Sequence, residues 1–252
     1  MILFTAGKSI TGSGAGMAIH LLKSAKNAFV DAVGTGGSGD SEFDSWDVGI
    51  QDDASNAIVE EFGTRHDTTA GIVMNSVTGS NINDFNSDNN PIGVVLNNAN
   101  NNLVGCFDAN SNTNTGVKLV NSNGNKIECF SAGSNTVYGI WLQASSSNQI
   151  DCSNTDSNGN TGVYVGCHDS GATGTACSGI GPSNNNRIYD HSAESNTNAG
   201  IAIDLGDSGT IVSDVSATSN SGPDDMFDEN ANCDSNVWFG NRFNHKSQSC
   251  IQ

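Results

Sequence analysis

The chain has 252 residues, a formal net charge of −18, nine Lys plus Arg, 35% apolar residues and 14% charged residues. Nine cations leave no basic face for nucleic acid or an anionic membrane, and no run of 18 apolar residues is present to span a bilayer. The polarity comes from Asn, Ser, Thr and Gly, and three prolines with evenly spaced Ile, Val and Leu point to an ordered β protein rather than a disordered chain.

Met1 to Phe4 are apolar but lack the basic flank and long apolar core of a signal peptide, so the expectation is that export information was removed or that the chain is a fragment. Ala18-Ile19-His20-Leu21 with Asn27-Ala28-Phe29 reads as a first coil, Gly34 to Asp40 as a loop, and Gly49-Ile50 with Asn56-Ala57-Ile58 as the next coil. One pattern then recurs at Gly71-Ile72-Val73-Met74, Gly93-Val94-Val95-Leu96, Gly116-Val117-Lys118-Leu119, Gly139-Ile140-Trp141-Leu142, Gly162-Val163-Tyr164-Val165 and Gly200-Ile201-Ala202-Ile203. These glycines are 22, 23, 23, 23 and 38 residues apart, the last step being one period plus a 15-residue insertion. Asn102-Leu103-Val104, Asn125-Lys126-Ile127, Asn148-Gln149-Ile150 and Asn186-Arg187-Ile188 keep the same steps, and Ile211 and Val237 extend them. Asn89, Asn112, Asn135, Asn158 and Asn196 each precede a column glycine by four residues. Stacked amides of this kind bond to their copies above and below.

A period of 22–23 residues with short strands and no helical spacing is a parallel solenoid. The expected fold is all-β: one right-handed parallel β-helix of about nine coils and three parallel sheets. Residues 1–48 form irregular N-terminal coils, 49–225 regular coils with an insertion at 166–184, and 226–252 a C-terminal cap. The open N-terminal edge invites a partner domain or self-association.

These repeats resemble the right-handed parallel β-helix proteins of the pectin-lyase-like superfamily, of the secreted bacterial type, over nearly the whole chain from Ile19. Asp225 to Asn230, followed by Cys233, Asn236, Trp238, Asn241, Phe243 and Cys250, resembles the terminal cap of secreted bacterial β-helix repeat proteins. The superfamily contains pectate and pectin lyases, polygalacturonases, epimerases, tailspikes and non-catalytic adhesins, so the resemblance implies the fold and leaves the activity open. The Gln51-Asp52-Asp53 stretch resembles the paired-aspartate motif of polygalacturonases, but that family's Gly-His-Gly and Arg-x-Lys motifs are absent. Capping of the following loop is the plainer role for Asp52 and Asp53.

The seven cysteines divide by position. Cys106, Cys129 and Cys152 recur every 23 residues, two after an inward Val or Ile, and are expected to stack as thiols in the core. Cys167 and Cys177 are expected to staple the insertion, and Cys233 and Cys250 the cap, which points to an extracellular or periplasmic compartment.

In the Gly-Ile-x-Leu strands, the x residue and the one after Leu face outward. Trp141 and Tyr164 should therefore stand side by side on the solvent face, with Asn97 and Gln143 nearby, as a polysaccharide-binding surface. The alternative is that the insertion folds back over both rings. Asp204, Asp207, His168 and Lys118 are the candidate catalytic residues: two carboxylates for glycoside hydrolysis, or a base and a cation for elimination or C5 epimerisation at a uronate. Isolated Arg65, His66, His191, Arg242, His245 and Lys246 read as solvated or turn residues. No cofactor is evident and no metal triad has the right spacing; calcium stays open because Asp108-x-Asn110-x-Asn112 and Asp156-x-Asn158-x-Asn160 faintly resemble calcium loops, but both lack the distal bidentate Glu and a turn is the plainer role. The expected partner is a polysaccharide, with no nucleic acid and no membrane insertion. Whether the chain is an enzyme (lyase, hydrolase or epimerase) or a non-catalytic surface module stays open.

Overall fold

The computed structural model describes residues 2–4, 9–31, 41–168 and 179–252. The repeat becomes two parallel sheets wound as a solenoid. One has nine strands, from Met17–Leu21 through Thr115–Val120 to Met226–Asp228, and so about eight full turns between its ends. The other has 13, most of them on a path from Ile2–Phe4 through Lys126–Ser131 to Val237–Phe239.

One coil shows why the sequence folds this way. In Thr115–Val120, Val117 and Leu119 point inward and are fully buried, while Lys118 and Val120 face out. Asn121 (φ 48°) and Gly124 (φ 67°) turn the chain into Lys126–Ser131. There Ile127 is inward, Cys129 takes φ 51°, and Phe130 is inward again. That single left-handed residue bends the strand, so the expected second and third sheets are two limbs of one. The bend recurs at Glu61, Asp84, Cys106, Cys129, Cys152, Asp190 and Asp214, with φ between 48° and 59°.

The bend corrects the expected cysteine stack. A left-handed residue interrupts the two-residue alternation, so Cys106, Cys129 and Cys152 turn outward and are exposed. The phenylalanines that follow them take the core. Phe62, Phe85, Phe107 and Phe130 stack with ring centroids 5.1, 4.7 and 4.9 Å apart. His191 continues this column, tilted against Phe130 at 6.4 Å. It is buried, not solvated, with Thr155 Oγ1 at 2.8 Å and Ser153 Oγ at 2.9 Å. Burial pushes its pKa down to about 3, so the imidazole stays neutral in the fold.

The asparagine columns form ladders at both turns. Asn102 N–H donates to Asn125 Oδ1, Asn125 to Asn148 and Asn148 to Asn186, each at 2.9 Å. The second ladder runs Asn90, Asn112, Asn135, Asn158, Asn196, Asn220 with bonds of 2.8–2.9 Å. Its first member is Asn90 rather than Asn89, because Asn89 is itself a left-handed turn residue (φ 58°). Asp52 caps its loop by accepting Ala54 N–H at 2.9 Å. The Cys233–Cys250 disulfide closes the cap as expected, and Trp238 Nε1 anchors it by donating to Asp228 Oδ2 at 3.0 Å.

Asn125→Ala would orphan the buried Asn102 N–H and the Ala99 carbonyl that Asn125 now satisfies. It should cost at least about 2 kcal/mol, against less than about 1 kcal/mol for the exposed Asn123→Ala, as read from urea-unfolding midpoints. Equal losses would contradict the ladder's role.

Candidate functional site

On the outward face of the nine-stranded sheet, Val73, Val95 and Lys118 are half-buried. From the strand Tyr138–Gln143 onward the face is covered. Tyr138, Trp141, Tyr164, Ala199 and Ala202 form a second apolar cluster outside the solenoid, with Trp141 3% and Tyr164 0% exposed. The ring surface expected to meet solvent is therefore buried. The reason lies in the polar ends of the rings, which find partners in the segment after Val165. Trp141 Nε1 donates to Gly166 O at 2.8 Å, Tyr138 OH to His168 O at 3.2 Å, and His168 N–H to Tyr164 OH at 3.2 Å. Gly166 must be glycine here, because a Cβ would meet both the Asp204 carboxylate and the Tyr164 ring.

Beneath this strap the structure brings three expected residues together. Asp204 is fully buried, and its Oδ2 accepts Tyr164 OH at 2.6 Å and Cys167 N–H at 3.1 Å. The same oxygen lies 2.8 Å from His168 Nδ1. Burial, with the Asp204 carboxylate beside it, pushes the Tyr164 hydroxyl well above the usual phenol range. His168 is the member that reaches solvent, with 23% of its side chain exposed. Asp207 is also buried and accepts Ser183 N–H at 2.6 Å, and burial pushes its carboxyl up to about 7. With Asp204 and Asp207 both buried, the pair does not flank an open cleft where a glycosidic bond could sit, which corrects the paired-carboxylate expectation. Lys118 stacks on Trp141, its Nζ 3.7 Å from the ring centroid. Gln143 Nε2 donates to Cys167 O at 3.5 Å, and Asn97 Nδ2 to Asn75 Oδ1 at 3.2 Å.

The far end of the same face carries a polar cluster that sequence reasoning did not assemble. His20 Nε2 lies 2.7 Å from Asp53 Oδ2, and Gln51 Nε2 donates to that oxygen at 3.0 Å. Asp52 points the other way, into the core, where burial pushes its carboxyl up to about 6. Asp52 and Asp53 thus lie on opposite faces of the strand and do not form a catalytic pair.

Among the described residues, one group of three side chains could converge on a metal ion: Cys167, His168 and Asp204. Cys167 is half of a disulfide, and a disulfide sulfur is no thiolate ligand. Two donors remain, far from the six to eight oxygens that calcium takes. The expected partner, Cys177, lies outside the described residues.

No protein-family model matches the sequence, and no curated protein matches it significantly. Solved structures do. The periplasmic alginate epimerase AlgG superposes with a TM-score of 0.59 at 16% identity, covering 82% of this chain and 49% of its own. A rhamnogalacturonan lyase gives 0.57 at 11% identity, covering 98% and 79%. The fold shared with these structures is a parallel β-helix. The Dettilon tailspike protein adds a third likeness of the same kind, with a TM-score of 0.55 at 11% identity, covering 97% of this chain and 54% of its own. The chain thus spans about half the length of the epimerase and of the tailspike. At these identities the likeness establishes the β-helix and not an activity. Among the described residues no helix is long and apolar enough to cross a membrane.

Asp207 titrates near 7 in the fold against 3.8 ordinarily, so its neutral form is the one the fold favours. Its contribution to stability is complete below about 3.8 and is lost as pH rises through about 7. Asp52 and Asp67 act in the same direction. Asp207→Asn should therefore flatten the fall in unfolding midpoint between pH 4 and pH 8. An unchanged slope would show that Asp207 is ionised in the fold.

Proposed function

We infer that the protein is a secreted, extracellular or periplasmic, carbohydrate-active β-helix. In this reading a polysaccharide lies along the half-exposed outward face of the nine-stranded sheet, from His20 and Asp53 to His168. The observation that carries it is the His168–Asp204 contact at the end of this face. A buried carboxylate holds Nδ1 of a partly exposed imidazole, which fixes its orientation and leaves Nε2 the basic nitrogen when Nδ1 carries the proton. Asn75, Asn97 and Gln143 supply amides for hydroxyl groups along the path, and Lys118 supplies the cation. Two of the structural neighbours support a polysaccharide by what their names state: an alginate epimerase and a rhamnogalacturonan lyase. The charge of −18 favours a neutral chain, since a polyanion would be repelled without bridging cations. The Cys233–Cys250 disulfide suits an oxidising compartment.

A second reading has its own observation. Asp204 Oδ2 is shared among Tyr164, Cys167 and His168, all part of the strap or its footing. A cluster built that way also serves to lock the insertion onto a non-catalytic surface module.

A panel of neutral and acidic polysaccharides, with and without calcium, separates these readings. Asn97→Ala with Gln143→Ala should weaken glycan binding at least about tenfold, the loss of one or two hydrogen bonds. His168→Ala should abolish turnover of the bound glycan while leaving binding in place. Binding without turnover in the wild type would favour the module over the enzyme, and binding to no glycan would overturn the glycan-binding reading and leave the non-catalytic module.

A further inference from the structure

The opposite side of the rod carries a feature that glycan binding leaves unused. Cys106, Cys129 and Cys152 occupy the left-handed bend of three successive coils, are exposed, and form no disulfide. Their neighbours pair in register: Gly105 with Glu128, Phe107 with Phe130, and Glu128 with Asp151. The thiols therefore form one straight row at the strand spacing of about 4.8 Å. The row lines an open groove of about 850 Å³ that also includes Glu61, Asp84 and Asp108. Backbone geometry does not account for cysteine at these positions. A left-handed bend suits Asp, Asn and Gly, and Asp does hold it at positions 84, 190 and 214.

Such a row has two fates. A cystine needs Cβ atoms about 3.5–4.5 Å apart, closer than the roughly 4.8 Å at which stacked copies repeat. A linear thiolate–metal–thiolate bridge whose bonds are near the about 2.3 Å of a zinc–thiolate bond spans roughly 4.6 Å, which is close to the repeat. The outer thiols lie two spacings apart, about 9.6 Å, so all three cannot converge on one ion and a tetrahedral zinc site is not formed. An ion satisfied by two thiolates is a soft one, of the copper(I) class.

We propose that the Cys106–Cys129–Cys152 row binds a soft, two-coordinate cation such as copper(I) between the thiolates of adjacent coils, with Cys129 common to both pairs. Each ligating thiol releases its proton to solvent, and no electron is transferred. The carboxylates of Glu61, Asp84 and Asp108 raise the local concentration of cations in the groove.

The test is an anaerobic titration of the native protein with copper(I) against a chromophoric copper(I) chelator, preceded by a count of reactive thiols. Three reactive thiols are expected. Cys129→Ser leaves two thiols that cannot share an ion, so affinity should fall by the about 10²–10⁴-fold that simultaneous attachment provides. Cys106→Ser and Cys152→Ser each keep one adjacent pair and should lose far less. Cys129→Asn, whose amide suits the bend, repeats the test if the serine variant is destabilised. A single reactive thiol (a cystine has formed), equal losses in all three serine variants, or undiminished binding in both Cys129 variants would overturn the proposal.

Discussion

The structure depends on a side-chain amide bonding to the backbone of the next coil. In each ladder Oδ1 of one asparagine accepts the N–H of its copy, as between Asn102 and Asn125 or Asn112 and Asn135, both at 2.9 Å. The bond satisfies a buried donor at a turn where no strand partner exists. It also fixes register, because a slip by one residue would move every apolar side chain to the wrong face. With both turns pinned, Val94, Val117 and Ile140 pair directly, as do Phe85, Phe107 and Phe130.

The same constraint explains how the solenoid tolerates a long insertion. Asn148 N–H reaches Asn186 Oδ1 across 38 residues with the 2.9 Å bond used within the regular coils. Ser145 N–H likewise meets Ser183 Oγ at 3.1 Å. The extra chain is therefore free to serve the outside of the rod. Its first residues, Gly166 to His168, close over three rings, and that closure places a histidine beside a buried aspartate. The candidate site is thus built by Gly166 to His168 at the start of the insertion, and the regular coils supply its floor.

The coil period, the two asparagine columns, the inward Ile, Val and Leu, and the cap cysteines were legible because each repeats at a fixed step or closes the chain end. What escaped was set by single residues or by non-repeating chain. Counting by twos through Ile127, Cys129 and Ser131 places the thiol inside; one left-handed residue reverses that, and the signal was the phenylalanine at each following position. His191 falls in the same column as Phe130, which foretold its burial. Trp141 and Tyr164 sit on the outward face as expected, but nothing in the repeat says where non-repeating residues will lie. The nearest hint was Gly166, a position without a side chain directly after the Tyr164 strand. Asp52 and Asp53 differ by one position, and strand alternation alone sends them to opposite faces.

The most direct measurement is hydrogen exchange of the backbone amides of Asn102, Asn125 and Asn148 in the native protein. If the ladders hold the coils in register, these turn amides exchange as slowly as the strand amides of Val117 and Leu119, through opening of the whole stack. Exchange as fast as that of the exposed turn residues Lys23 and Ser24 would mean that the strands alone set the register, and that the ladders follow from it.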